Sequence, residues 1–296
     1  MLALFAQQLV NGLVMGLIYV LLALGLTISF GIGRVINFAH GELYMLGAFF
    51  AYLVAARFDY MTGVAVTVVL MALVGILFNR LVLKPLRTGK ASAGKTSIWA
   101  PFLATLAVSL LLQNVALAAF GPDPYLLSSP FAFTPVSLGG LIIAQQDLVI
   151  ALVATAATAG LTLFVRRGKY GMAMRAVARD RQTAALMGIN IERVYAVTFA
   201  LSAVLAGLAG ALVAPKATVD PYIGRMALLK GLSVVILGGL GDIPGAILGG
   251  IILGVGEALG AGFISAAYKD AVGYTLMILV LLLRPEGILG RRMRRA

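Results

Sequence analysis

Apolar blocks long enough to cross a lipid bilayer follow one another from one end of this chain to the other. A transmembrane helix needs about 20 predominantly apolar residues, and the blocks that qualify are residues 4–30, 38–56, 61–83, 98–120, 148–165 and 194–214. A last unbroken block covers residues 271–283 and is expected to begin a few residues earlier. Only 11% of the residues are charged, whereas soluble domains contain about 25%. The sequence therefore predicts one all-α domain over residues 1–296, a polytopic transmembrane helical bundle.

The apolar block at residues 228–261 is interrupted by the sequence Gly241-Asp242-Ile243-Pro244-Gly245. Proline lacks a backbone donor and interrupts a helix, so this block forms either a re-entrant pair of half-spans or two tightly joined full spans. The total is then seven spans plus the re-entrant pair, or nine spans. A second break, at Gly31 and Gly33, separates the first two blocks. We therefore expect discontinuous helices at both places.

The basic residues are segregated into a few loops between the apolar blocks. Of the 23 lysines and arginines, 18 lie on one alternating set of loops, which comprises Arg34, residues 80–95, residues 166–193 and the tail from Arg284. Cytoplasmic loops of membrane proteins carry such an excess, which predicts an outside N-terminus and a cytoplasmic C-terminus. Residues 121–147 contain four prolines and no lysine or arginine, which indicates an irregular external cap. The net charge of +12 needs no nucleic-acid partner, because no soluble module with a basic face is present.

Residues Gly89–Thr96 match the nucleotide-binding pattern GxxxxGK[ST] at each fixed position. That pattern binds phosphate only between a buried strand and a helix, whereas here it follows an apolar block and Lys84-Pro85. We interpret it as a chance match in a short basic loop. Cysteine is absent and His40 is the only histidine, and the sequence has no nucleophile–base pair or cofactor fingerprint. We therefore expect no metal site, no nucleotide site, no cofactor and no enzymatic activity.

The loop at residues 166–193, named here the coupling loop, is the most informative polar segment. Basic residues recur at helical spacing from Arg175 to Arg181, and small or apolar residues form a second face that includes Ala173, Val177 and residues 184–187. Gly188 is expected to end the helix. This pattern fits a solvated loop held to anionic lipid by its arginines. It also fits a helix on which a partner protein docks, because small residues permit close approach.

Three motifs resemble the branched-chain amino acid permease family of ATP-binding cassette (ABC) transporters. The first is Gly171-x3-Arg175-Ala176 followed by Asp180, Ala184 and Gly188-Ile189-Asn190, which resembles that family's coupling loop. The others are residues 33–42 (GRVINFAHGE) and residues 238–250 (GGLGDIPGAILGG), and the three occur in family order over positions 31–250. The resemblance implies an ATPase-coupling role for Gly171, Arg175, Ala176, Asp180, Ala184 and Gly188.

The same resemblance implies the partners and the location of the protein. It implies a membrane subunit of a high-affinity amino acid importer in the bacterial inner membrane. The expected partners are a second related permease, two ABC ATPase subunits and a periplasmic solute-binding protein. Related permeases carry urea, amides or other small polar solutes, so these remain alternative cargoes. An ion-coupled secondary transporter or channel is a more remote alternative, with Glu42 and Glu257 as its candidate buried acids.

Polar side chains at the start of the second apolar block are candidates for the translocation pathway. Asn37, His40 and Glu42 follow the glycine-rich break, and polar groups at membrane depth usually face a bundle interior or a cavity. In the alternative, they lie at the membrane surface, where Asn37 caps the helix and Glu42 pairs with Arg34.

Gly241 and Pro244, in the second break, are further candidates for the translocation pathway, because discontinuous helices build substrate sites in transporters. The neighbouring Asp242 could cap the helix that follows or lie at the cytoplasmic surface. Glu257 has no basic residue one turn away. The sequence leaves open whether it faces a lumen or the outer surface.

Overall fold

The computed structural model describes residues 1–33, 36–88, 99–131, 135–138 and 141–290. Arg34 and the nucleotide-pattern match Gly89–Thr96 lie outside the described residues. The α-helices in the described part are α1 (Leu2–Gly33), α2 (His40–Ala55), α3 (Tyr60–Phe78), α4 (Lys84–Thr88), α5 (Trp99–Phe120), α6 (Gln145–Arg167), α7 (Lys169–Arg179), α8 (Arg181–Leu186), α9 (Ile191–Val213), α10 (Ile223–Gly238), α11 (Ile243–Phe263) and α12 (Lys269–Leu283). A π-helical turn, Asn79–Leu83, joins α3 to α4, and a 3₁₀ turn, Ala266–Tyr268, precedes α12. Two antiparallel strands, β1 (Pro135–Leu138) and β2 (Leu141–Ala144), pair with Val136 opposite Ile143.

The prediction of an all-α polytopic membrane bundle is confirmed. Within the described residues, seven helical segments are long and apolar enough to cross a membrane: Leu2–Gly33, Tyr60–Arg87, Trp99–Phe120, Gln145–Arg167, Ile191–Val213, Ile243–Phe263 and Ala266–Leu283. The last of these begins before residue 271, as expected. The predicted external cap at residues 121–147 is more regular than expected, because it contains the β1–β2 hairpin.

Two helices are shorter than the sequence predicted. The block at residues 38–56 forms only the 16-residue helix α2, which is about 24 Å long at 1.5 Å per residue. The interrupted block forms α10, also of 16 residues, and the full-length α11 of 21 residues. The break at residues 239–242 therefore joins one short helix to one long helix. This combination lies between the two alternatives that the sequence left open.

The bundle has two distinguishable ends. At one end, named the loop end, residues 284–290 return to the break after α10, where the Ile288 amide donates to the Leu237 carbonyl at 2.9 Å. A cavity brings that break together with α7 of the coupling loop. At the other end, named the hairpin end, the Gln7 side chain donates to the Ile142 carbonyl of β2 at 2.8 Å. The first helix α1 therefore runs from the hairpin end to the loop end.

Helices α1 and α11 share the most extensive contact among the described helices, and glycines make this contact possible. A methyl group added at Gly12 would lie 2.7 Å from the Val255 Cα, and one added at Gly16 would lie 3.0 Å from the Gly250 carbonyl oxygen. Small residues at this spacing let membrane helices approach closely enough for backbone contact. Most of α1 from Ile18 to Ser29 is buried as a result.

Helices α5 and α12 lie at the periphery. In α5 only Thr105 and Ala116 are buried, and in α12 only Gly273. Their remaining surface is apolar and exposed in this chain, with Leu111 and Leu282 as examples at 61% and 76% exposure. In a multi-pass membrane protein this is the surface that lipid or another subunit covers.

Candidate translocation and coupling sites

The polar residues at the start of α2 lie inside the bundle. His40 is fully buried and its Nε2 lies 3.1 Å from the Leu22 carbonyl oxygen, beside Gly25 of α1. Because α1 continues to Gly33, α2 begins about 12 Å before the loop end of that helix. The surface placement that the sequence allowed does not describe this geometry.

Asn37 and Glu42 contribute further buried groups to the same place. The Asn37 Oδ1 accepts from the Ala39 amide at 3.1 Å, although the N-cap position of α2 is Ala39, which has no capping side chain. Asn37 therefore stabilises the turn before the helix and does not cap it. The Glu42 Oε1 accepts from the Ser109 hydroxyl of α5 at 3.1 Å. Glu42 thus links α2 to the loosely packed α5.

Several polar atoms in this group have no protein partner. The Nδ2 of Asn37, the Nδ1 of His40 and the Oε2 of Glu42 are buried without a hydrogen bond to any described residue. A buried group left without a partner costs about 1–3 kcal/mol, so such groups are uncommon in a folded protein. Three of them in one place make this a candidate polar site inside the bundle.

The two short helices begin at the same point. A methyl group added at Gly41 would lie 2.9 Å from the Leu228 Cβ and would overlap the Gly224 carbonyl. Because α2 starts at His40 and α10 starts at Ile223, two helix N-termini meet here. Helix N-termini favour negative charge, and Glu42 supplies it. The exposed Arg225 is a charged neighbour of the Glu42 carboxylate.

The other predicted pathway residues, Gly241 and Pro244, line a separate cavity at the loop end. The cavity has a volume of about 360 Å³ and lies between α1, α6, α7 and the start of α11. Gly241 adopts a φ of +83°, which favours glycine. The Asp242 Oδ2 accepts from the Gly245 amide at 2.8 Å, so Asp242 caps α11. Among the residues that line this cavity are neither Asn37 nor His40 nor Glu42, so the structure divides the predicted pathway residues into two groups.

The coupling loop contains two helices instead of the single helix that the spacing predicted. The break falls at Asp180, whose Oδ1 accepts from the amides of Gln182 and Thr183 at 2.9 and 3.1 Å and so caps α8. Hydrogen bonds from the Thr183 side chain and backbone hold the pKa of Asp180 below its ordinary value. A short polar side chain that offers the backbone amides a partner favours a helix start over a helix interior. The predicted stop at Gly188 agrees with its φ of +81°.

Most of the family-motif residues in this loop contact the protein itself. Gly171 packs on the end of α6, where an added methyl group would lie 2.6 Å from the Val165 Cα. The Arg175 guanidinium donates to the Val165 carbonyl. Ala184 is buried, whereas Ala176 is half-buried. These residues therefore hold α7 and α8 against the bundle.

The apolar face predicted for the coupling loop is split between two surfaces. Val177 and Ala184 are buried against the protein at 4% exposure each, whereas Leu186 and Met187 are 88% and 79% exposed. Two large apolar side chains that project together from a polar loop are uncommon on a free surface. They form the apolar tip of the coupling loop.

Comparison with known proteins decides the family. The model of the family described as "Branched-chain amino acid transport system / permease component" matches residues 8–281 of this chain. The chain belongs to this permease family. It is therefore a multi-pass membrane component of a transport system and not an enzyme.

Named relatives of this permease align over nearly its whole length. It is 37% identical over 302 residues to the high-affinity branched-chain amino acid transport system permease protein BraD of Pseudomonas aeruginosa, with 97% of this chain and 96% of the relative covered. It shows the same identity and coverage with the permease protein LivH of Escherichia coli. It is 31% identical to a probable branched-chain amino acid transport permease protein LivH of Methanocaldococcus jannaschii, with 92% and 88% covered.

The permease also contains a buried ion cluster that sequence reasoning missed. Lys230 of α10 bonds to Glu257 of α11, and its Nζ lies 2.8 Å from Asp270 at the start of α12. The Tyr19 hydroxyl of α1 donates to the other Glu257 oxygen at 2.7 Å. Glu257 therefore faces neither an open lumen nor the outer surface. The signal was a lone lysine before the break of the interrupted block and a lone glutamate after it, because buried charges require partners.

Proposed function

We propose that this permease forms the translocation pathway of an ABC importer for branched-chain or related amino acids. It would lie in the bacterial inner membrane and pair with a second related permease. Two separate ATPase subunits would hydrolyse ATP, and a periplasmic solute-binding protein would deliver the cargo. The family assignment and the names of the BraD and LivH relatives support this proposal.

The observation that carries the ATP-driven role is the apolar tip of the coupling loop. Leu186 and Met187 project from a loop that Gly171 and Arg175 fix to the end of α6. A subunit powered by a separate ATPase needs a firm element outside the membrane that transmits motion to its helices. An apolar pair on such an element suits a protein groove, because burial of apolar surface drives most protein–protein association.

The translocation pathway would include Asn37, His40 and Glu42, with Gly241 and Pro244 at its loop end. The loop end would face the cytoplasm, because the coupling loop there carries seven of the basic residues. The ion-coupled alternative is weaker than the sequence alone suggested. Of its two candidate acids, Glu257 is bonded to Lys230, and a paired carboxylate is a poor carrier of a transported proton.

An uptake measurement tests the proposed function. Membrane vesicles that contain the permease with its ATPases and binding protein should accumulate labelled leucine when ATP is supplied. Unlabelled isoleucine and valine should compete, whereas urea and acetamide should not. Uptake by vesicles with this chain alone, under a proton or sodium gradient, would refute the ATP-driven role, and competition by urea would refute the amino acid cargo.

A paired substitution tests the apolar tip. Leu186→Asp with Met187→Asp should remove most of the ATPase that co-purifies with the permease and most of the uptake, because the charges oppose burial in a groove. Leu126→Asp is the matched control, since Leu126 is also an exposed apolar residue, at 77%, but lies in the segment after α5. ATPase co-purification should be unchanged in the control. Retention of the ATPase by the double variant would contradict the docking role.

A further inference from the structure

The loop-end cavity has the size and position of a small-molecule site. Its volume of about 360 Å³ lies within the range of about 300–1,000 Å³ that is usual for ligand pockets. Its walls come from four helices: α1 at Thr27 and Ile28, the end of α6, the inner side of α7, and the start of α11. The cavity therefore lies where the coupling loop meets the membrane bundle.

Opposite charges line this cavity without pairing with each other. Arg166, at the end of α6, and Asp242, at the start of α11, both line it. Neither forms an ion pair with any described residue. Asp242 uses its Oδ2 to cap α11, which leaves Oδ1 without a hydrogen bond from the described residues. The other arginine that lines the cavity, Arg175, donates to the Val165 carbonyl. Arg166 and the remaining Oδ1 of Asp242 match the two charged groups of an α-amino acid.

A buried hydroxyl and apolar walls complete the site. Thr27 is 1% exposed, lines the cavity, and its Oγ1 has no hydrogen-bond partner among the described residues. Ile28, Val165 and Ile243 supply aliphatic surface to the same cavity. A neutral polar solute such as urea would leave the two charges uncompensated and this apolar surface uncovered. An aliphatic amino acid would use both.

We propose that the loop-end cavity is a second amino acid site, in which Arg166 binds the carboxylate of a free aliphatic amino acid and Asp242 binds its ammonium group. Thr27 donates or accepts a further hydrogen bond, and the side chain packs on the aliphatic wall. Because α7 forms one wall through Met174 and Ala178, an occupied cavity fixes the coupling loop against the bundle. Amino acid on the loop-end side of the membrane then slows further transport. This regulatory consequence rests on the proposed function, whereas the binding site itself does not.

Equilibrium binding of labelled leucine to the purified full-length permease in nanodiscs, without binding protein, tests the site. Arg166→Gln and Asp242→Asn should each weaken leucine binding by about tenfold or more, because each removes a charge-assisted hydrogen bond. Asparagine retains the capping role at position 242. Arg167→Gln and Asp59→Asn are matched controls. Arg167 is adjacent in sequence and exposed but does not line the cavity, and Asp59 caps α3 in the same way that Asp242 caps α11.

Analogues separate the two charge contacts. Leucine amide lacks the carboxylate and isocaproate lacks the ammonium group, so both should bind at least tenfold more weakly than leucine. Binding of either analogue with the affinity of leucine would overturn the assignment of the corresponding charge. Failure of the wild-type permease to bind leucine would overturn the whole inference.

Uptake distinguishes this inference from the proposed function. In vesicles of the complete importer with loop ends inside, preloaded leucine should slow ATP-driven uptake in the wild type and in Arg167→Gln. It should have a smaller effect in Arg166→Gln. Equal slowing in Arg166→Gln would refute the regulatory role. Absence of ATP-driven leucine uptake in unloaded wild-type vesicles would instead refute the proposed function, without bearing on the binding result.

Discussion

Removal of the Lys230 ammonium group tests how the permease stabilises charge inside its bundle. The Lys230 side chain is 7% exposed and the Glu257 side chain 1% exposed. In Lys230→Met, Glu257 keeps only the hydroxyl of Tyr19 as a described partner. Loss of one partner of a buried ion pair costs about 3–5 kcal/mol, because the remaining charge stays buried without compensation. We expect a loss of this size in the free energy of unfolding.

Two further variants separate the charge effect from the packing effect. The double variant Lys230→Met with Glu257→Gln removes both buried charges, while the new amide oxygen at position 257 can still accept from the Tyr19 hydroxyl. Replacement of both charges of a buried pair is often neutral or stabilising, so the double variant should recover most of the loss. Asp270→Asn should cost about 1 kcal/mol or less, because the Asp270 side chain is 46% exposed.

The assay is an SDS titration of the purified permease in mixed micelles, with helicity followed by circular dichroism. The three variants should rank with Lys230→Met least stable, the double variant intermediate and Asp270→Asn closest to wild type. A loss below about 1 kcal/mol in Lys230→Met would refute a buried, stabilising pair, since exposed pairs contribute that little. A double variant as unstable as the single one would assign the loss to packing and refute the charge argument.

Two other predictions concern helix packing and orientation. Gly47→Ala should destabilise the permease by about 1–3 kcal/mol in the same titration, because the added methyl group would overlap the backbone of Gly207. Gly160→Ala lies inside α6, and no neighbouring atom is within 4 Å of the added methyl group. This control should be neutral or stabilising by up to about 1 kcal/mol. Equal losses of stability in Gly47→Ala and Gly160→Ala would contradict the packing argument. The chain contains no cysteine, so single-cysteine variants report directly on which side of the membrane a residue lies. In intact cells, a membrane-impermeant maleimide should label Leu126→Cys and should not label Met187→Cys. The reverse result would contradict the proposed orientation.

The sequence predicted the membrane bundle because each span is a continuous apolar run, a local property. It also placed the breaks after α1 and before α11, where glycine and proline act locally. Helix lengths were less predictable, since α2 begins only where His40 finds a partner on α1. The division of the coupling loop at Asp180 was missed because a capping side chain and a solvated one look the same in a polar segment.

Contacts between distant segments were the least predictable part of the candidate sites. Lys230 and Glu257 are 27 positions apart on different helices, and a search one turn away on the same helix cannot find such a pair. The loop-end cavity likewise combines Thr27, Arg166 and Asp242, which no local motif connects. The resemblance identified the right loop, but only packing shows that Arg175 contacts α6 while Leu186 and Met187 remain exposed.

The glycines between α1 and α11 have a consequence for movement during transport. Lipid does not distinguish one apolar helix face from another, so close packing and the hydrogen bond from Tyr19 to Glu257 select how these two helices align. With backbone against backbone at Gly12 and Gly16, a slide or a rotation of either helix would bring side chains into space that only glycine can occupy. We therefore expect α1 and α11 to move as one rigid body. We expect rearrangement during transport where packing is sparse, along α5 and α12.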